Sequence, residues 1–178
     1  MTDPIILAPY NSEWPLLYEQ HKQRILGAIG GITRGIEHVG STSVPGLAAK
    51  PTIDILVGVH SDEDLDRSVA PMQAFGYEYL AKYEDRMPYR RLFHLRLDGA
   101  TPAHRVNVHL VTHGHEFWER HLLFRDYLRA HPDTTAEYEL LKRQLATRFD
   151  RDHVGDYAEA KTPFIRAVEE RARGERET

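Results

Sequence analysis

The feature that most constrains this chain is a loop that runs directly into a strand. Residues 40–51 hold Gly40, Pro45, Gly46 and Pro51 together with the hydroxyls of Ser41, Thr42 and Ser43. That composition breaks regular structure and reads as a loop with room for one helical turn. Residues 53–59 then alternate strictly. Ile53, Ile55, Val57 and Val59 share one face, and Asp54, Leu56 and Gly58 share the other. A glycine at the mouth of such a loop lets backbone approach a ligand, and N–H groups with Ser and Thr hydroxyls suit phosphate oxygens. Asp54 adds little to the stability of an apolar strand but is well placed to hold a cation at a sheet surface. The structural alternative is an aspartate bonding loop N–H groups at a strand edge.

The remaining elements follow from periodicity. Ser12 is the expected cap of a helix with Pro15 in its first turn, running to about residue 28 and ended by Gly27, Gly30 and Gly31. Strands are expected over 36–39, 77–81, 90–97 and 105–112, with a helix over 62–75 and a turn at Asp98-Gly99. From residue 115 the pattern turns helical, with Phe117, Trp118, Leu122, Phe124 and Leu128 at helical spacing. Thr134-Thr135-Ala136-Glu137 reads as a capping box, followed by the stripe Tyr138, Leu141, Leu145 and Phe149. A last helix is expected over 157–173, and residues 174–178 are expected to fray. The sum is an α+β chain: a mixed β-sheet flanked by helices, with a C-terminal helical cap of three helices. One domain over 1–178 is expected, its sheet-containing core over about 10–112 and the cap over 115–173.

Composition narrows the function classes. The 178 residues carry a net charge of −4, which argues against a nucleic-acid partner. With no cysteine there are no disulfides, thiolate metal sites or cysteine nucleophiles, so any bound metal would fall to Asp and His. Eleven histidines are scattered along the chain. The first ten residues lack a signal-peptide pattern, and no stretch approaches the roughly 20 apolar residues of a membrane span, so a cytoplasmic location is expected.

The spacing of Gly40-Ser41 and Asp54 resembles the polymerase-beta-like nucleotidyltransferase superfamily. More closely, the chain resembles the GrpB family, a branch of it. The resemblance rests on His38, Gly40-Ser41-Thr42, Val44-Pro45-Gly46-Leu47, Lys50-Pro51 and Asp54. It continues in Arg90-Arg91, Asn107-Val108-His109, residues 124–129, Tyr138, Lys142, Tyr157, Lys161 and Phe164, covering about residues 8–170. It implies a nucleotidyltransferase fold. In that superfamily two carboxylates, two residues apart on one strand, join a third from a neighbouring strand. They hold magnesium, which activates the attacking hydroxyl and neutralises a triphosphate. The resemblance implies no particular substrate, and some members occur fused to dephospho-CoA kinase. This chain departs from the pattern at one point: the second carboxylate falls at Leu56. On the candidate partner strand Arg105, Asn107, His109 and Val111 share a face, so the third carboxylate falls at Asn107 or His109.

The candidate catalytic and metal-holding residues are therefore Asp54 and His109, with His109 as second ligand or as base. Magnesium is the expected ion, and the imidazole makes a transition metal an alternative. Gly40, Ser41, Thr42, Lys50, Arg91, Lys142 and Lys161 are the candidates for phosphate binding. His38, just before the loop, is a further candidate. Arg125-Asp126 reads equally as an ion pair fixing the cap to the sheet. The favoured expectation is a nucleoside triphosphate bound between sheet and cap, with nucleotidyl transfer to a small acceptor. The alternatives are a non-catalytic module for a nucleotide or CoA-like metabolite, and a metal-dependent enzyme of another class. The oligomeric state stays open.

Overall fold

The computed structural model describes residues 4–99 and 101–176. Helix α1, Trp14–Ile29, lies against one side of a five-stranded sheet. Its first turn is held by Asn11, whose Oδ1 accepts from the Glu13 N–H at 2.8 Å, and not by Ser12. Gly27 sits inside the helix, which ends at Gly30.

The strands are β1 (Thr33–Val39), β2 (Thr52–Val59), β3 (Glu78–Tyr79), β4 (Arg90–Arg96) and β5 (Arg105–Thr112). Their order is β1-β2-β5-β4-β3. Only the central pair β2 and β5 is parallel, so the sheet is mixed. The β2–β5 register sets Asp54 beside Asn107 and Leu56 beside His109. Strand alternation then divides the sheet. One face carries Ile53, Ile55, Val57, Val59, Val106, Val108 and Leu110, buried against Trp14, Leu17 and Ile25 of α1 and against Leu65 and Met72. The other carries Asp54, Leu56, Asn107, His109 and Val111.

The 62–75 helix is broken in two: α2, Asp62–Arg67, and α3, Val69–Ala74. Pro71 explains the break, because it has no N–H to donate and its ring crowds the preceding turn. Strand β3 is shorter than expected. The β4–β5 connection is a longer loop, closed by Leu97 N–H to the His104 carbonyl at 3.0 Å, with a turn in which Thr101 N–H reaches Asp98 O at 3.4 Å.

Four helices, not three, form the cap: α4 (Glu116–Ala130), α5 (Pro132–Ala146), α6 (Val154–Glu159) and α7 (Thr162–Arg176). The capping box at Thr134 does not form. Pro132, with its φ preset for a helix, starts α5 three residues earlier than such a box would, and the Thr135 hydroxyl donates to Leu128 O at 2.7 Å. Pro163 in the first turn of α7 separates it from α6. Helix α7 continues through residues 174–176, where the Tyr127 hydroxyl reaches Glu175 at 3.1 Å; residues 177 and 178 of the expected frayed end lie outside the described part.

The cap meets the sheet through Trp118, packed on Val39, Leu56 and Val111, and meets the loop through Leu128 and Tyr138, packed on Val44 and Leu47. Arg125 ties the two layers together. Its guanidinium donates to Glu37 at 2.7 Å and to the His38 carbonyl at 3.1 Å, as well as to Asp126 at 2.7 Å. Among the described residues no helix is long and apolar enough to cross a membrane.

Candidate functional site

The loop, the polar face of the sheet and the cap enclose a cavity of about 360 Å³. Gly40 opens it. The backbone there has φ +73° and ψ −179°, and an added Cβ would stand 2.6 Å from Asp54 Oδ2. Only glycine lets the loop fold down over the carboxylate. The next residues form a 3₁₀ turn, Ser41–Ser43, fastened by the Ser43 hydroxyl on the Gly40 carbonyl at 2.6 Å.

Asp54 accepts from the Asn107 amide at 2.9 Å, and His109 Nε2 lies 3.8 Å from the same Oδ1. Burial alone would push this carboxyl up, but His109, Asn107 and Lys50 together hold it below the usual carboxylate range. Arg90 lies behind His109, its Nη1 3.3 Å from Nδ1. A guanidinium only donates, so Nδ1 is the unprotonated nitrogen and the Nε2–H faces Asp54.

Loop, sheet and cap all supply positive charge. Lys50, Arg105, Lys142 and Lys161 all line the cavity, and none forms an ion pair within 4 Å among the described residues. Lys142 is 2% exposed, donates to the Ala48 carbonyl and sits 5.0 Å from the Tyr138 ring centre. Lys161 and Lys50 flank Tyr157 at 4.6 and 5.5 Å. Burial, then the nearby Lys161, lowers Lys142 to about 7. Burial, then Lys50, lowers Lys161 to about 8. Two buried polar atoms on this wall, Arg105 Nε and Tyr157 Oη, have no hydrogen-bond partner among the described residues. Native interiors rarely leave such groups unmet.

The sequence-derived set divides. Gly40, Ser41, Thr42, Lys50, Asp54, Lys142 and Lys161 all line the cavity, and His109 reaches its Asp54 from the neighbouring strand. Thr42 is buried, and its hydroxyl is occupied, donating to Thr52 O at 3.1 Å and meeting His38 Nε2 at 3.0 Å. Arg91 is a correction. Its register partner is Leu110, so it projects from the opposite sheet face and pairs with Asp66 at 2.7 Å and Glu84 at 3.6 Å. Its neighbour Arg90 is the one on the Asp54 side. His38 also turns away, stacking on Tyr18 of α1 at 4.8 Å. Sequence reasoning missed Arg120 and His121, which line the cavity from α4. The signal was present: a histidine at 121 interrupts the apolar stripe through Phe117, Phe124 and Leu128.

The three-carboxylate arrangement that the resemblance brings with it is not assembled here, as the departure at Leu56 leads one to expect. Leu56 is fully buried where a second carboxylate would stand. Among the described residues no three His, Asp or Glu side chains gather as metal ligands.

Comparison with known sequences matches residues 4–171 to the family described as GrpB protein. The chain belongs to the GrpB family. It is 40% identical over 164 residues to the UPF0157 protein YqkA of Bacillus subtilis (strain 168), covering 92% of this chain but 46% of that protein. The GrpB chain thus spans about half the length of that relative. The crystal structure of the conserved protein GrpB from Enterococcus faecalis superposes with a TM-score of 0.80 at 32% identity, covering 97% of this chain and all of that one. The Cid1 poly(U) polymerase in its Mg 3′-dATP-bound crystal structure superposes with a TM-score of 0.53 at 15% identity, over 80% of this chain and 44% of that chain. The fold is therefore α+β and similar to that of the nucleotidyltransferases.

Proposed function

We propose that the cavity binds the phosphate groups of a nucleotide or another phosphorylated small molecule. The observation that carries this reading is the wall of four cations without ion-pair partners, two of whose neighbouring polar atoms are orphaned. An anion entering there would satisfy Arg105 Nε and Tyr157 Oη and supply the charge that Lys50, Lys142 and Lys161 lack. Asp54 is a counter-charge that acts on Lys50 and Lys161 and offsets part of the positive charge. The same site in a chain of net charge −4 favours a small anion over nucleic acid.

A second reading, nucleotidyl transfer, is favoured by the Asp54–His109 contact beside the Gly40-Ser41 loop. It would use one divalent ion at most, since Leu56 adds no carboxylate on β2 and His109 could join Asp54 as a ligand only after its proton leaves Nε2. A non-catalytic site for a nucleotide or a CoA-like metabolite needs no such ion.

Isothermal titration with inorganic tripolyphosphate, the four ribonucleoside triphosphates and coenzyme A, each with and without Mg²⁺, Mn²⁺ or Zn²⁺, tests both. Binding that weakens at least about tenfold in Lys161→Met supports the first reading, the loss expected for a charge-assisted hydrogen bond. No binding by any probe refutes it. Pyrophosphate release that stops in Asp54→Asn supports transfer, and binding without release under any acceptor rejects it.

A further inference from the structure

His121 is the histidine that neither reading uses, and its hydrogen bonding fixes its chemistry. Its Nδ1 lies 2.7 Å from the carbonyl oxygen of Phe117, one turn earlier in α4. A carbonyl can only accept, so Nδ1 carries the proton and Nε2 carries a lone pair. The ring is held there by stacking on Phe117, with centres 4.0 Å apart. It lines the cavity 6.4 Å from the His109 ring. Nε2 has no hydrogen-bond partner among the described residues. Burial, with His109 nearby, pushes the imidazole down to about 4, so the lone pair persists at neutral pH.

The other polar side chains of the cavity are donors or are already committed. Lys50, Arg105, Lys142 and Lys161 donate only. Asn107 spends its amide on Asp54, and Glu169 accepts from Arg120 at 2.8 Å. Asp54 Oδ1 is taken by Asn107, and Oδ2, beside the Gly40 backbone, is a charged acceptor that a phosphate would avoid and a metal or a donor could meet. The hydroxyls of Ser41, Thr52 and Thr162 can turn to suit either role. His121 Nε2 is therefore the uncharged fixed acceptor of the cavity, with no protein partner among the described residues. A fully ionised phosphate chain would set lone pair against lone pair at this atom.

We propose that His121 Nε2 accepts a hydrogen bond from a hydroxyl of the bound molecule, so that the ligand class is a phosphate ester of a hydroxylated carbon skeleton rather than a bare polyphosphate. This rests on the phosphate-binding reading and deepens it. The anionic end lies along Lys50, Arg105 and Lys161, the hydroxyl reaches His121, and Phe124, Leu128 and Ile165 receive the carbon skeleton.

The test compares ATP with inorganic tripolyphosphate, by titration calorimetry, on the wild type, His121→Phe and His121→Gln. Phenylalanine keeps the stack and removes the lone pair, whereas the glutamine amide oxygen reaches the Nε2 position and can accept. The expected result is a preference for ATP over tripolyphosphate that falls about tenfold in His121→Phe and returns in His121→Gln. Nitrogen-15 NMR of the free protein, expected to show His121 protonated on Nδ1 alone, checks the tautomer without any ligand. A preference unchanged by His121→Phe, with tripolyphosphate still bound, overturns the inference and leaves the phosphate reading standing. A proton on Nε2 overturns it equally. Failure of both probes to bind wild type overturns the phosphate reading, and this inference with it.

Discussion

Replacing Gly40 by alanine tests how the loop and the carboxylate depend on one another. At φ +73° and ψ −179° the backbone lies in a region essentially reserved for glycine, which costs an L-residue about 1–3 kcal/mol. The new methyl would also meet Asp54 Oδ2 at 2.6 Å, Cβ at 3.1 Å and Cγ at 3.2 Å. Non-bonded contacts become favourable only beyond roughly 3.5 Å, so the carboxylate must retreat by about 0.9 Å. Crowding of that kind adds about 1–3 kcal/mol. We expect Gly40→Ala to lose about 3 kcal/mol in all. Urea unfolding followed by fluorescence of the buried Trp14 and Trp118 measures it. For a chain of this size the thermal midpoint should fall roughly 6–12 °C. The double variant Gly40→Ala/Asp54→Ala removes Oδ2 and Cγ but leaves Cβ, so the two substitutions should couple by about 1–2 kcal/mol. A loss below about 1 kcal/mol, or two strictly additive costs, would refute the reasoning.

Further outcomes follow from the same geometry. Arg91→Met should lower stability by about 1 kcal/mol, because it breaks the ion pairs of a buried guanidinium with the exposed Asp66 and the partly exposed Glu84, while tripolyphosphate affinity stays as in wild type; a loss of affinity would return Arg91 to the site. Anion binding should raise the depressed Lys142 and Lys161, so the complex takes up protons near pH 8, seen as a binding enthalpy that differs between HEPES and Tris. Without ligand, the unfolded chain holds more protons on these lysines than the folded one from about pH 7 to 10.5, so stability should rise with pH across that window; a flat profile contradicts it. Burial lowers His38 to about 4, so the unfolded chain takes up its proton first and stability drains away as pH falls from 6.5 to 4. His38→Phe keeps the ring against Tyr18 and should flatten that acid slope, although His21 and His121, also lowered to about 4, leave part of it; an unchanged slope would count against the assignment.

The parts of the fold set by strict alternation were legible in the sequence. The β2 pattern identified both faces of the sheet and put Asp54 on the polar one, and the expected bounds of β5 match its observed bounds. Prolines inside apparently continuous helical patterns were the main source of error, since Pro71 and Pro163 each divide a helix. Arg91 was misplaced for a different reason. In the pair Arg90-Arg91 a shift of one residue exchanges the faces of a strand, and only the pairing of β4 with β5 decides which arginine meets His109. His121 reads in the sequence as one more surface or helix-end histidine, although it interrupts an apolar stripe. Its value as an acceptor comes from a carbonyl one turn away, which composition does not reveal.

Leu56 limits what the site can be turned into. Its side chain is part of the contact by which Trp118 seats the cap on the sheet, together with Val39 and Val111. A carboxylate restored there would be a charge buried under an indole, a change that costs several kcal/mol unless it is paired. Trp118 would have to change at the same time, and with it the seating of α4. Position 56 is thus a keystone of the architecture rather than a free place on the polar face: a single Leu56→Asp exchange would unseat the cap before it could add a metal ligand. Any chemistry of the cavity is therefore confined to Asp54, the two histidines and the cations around them.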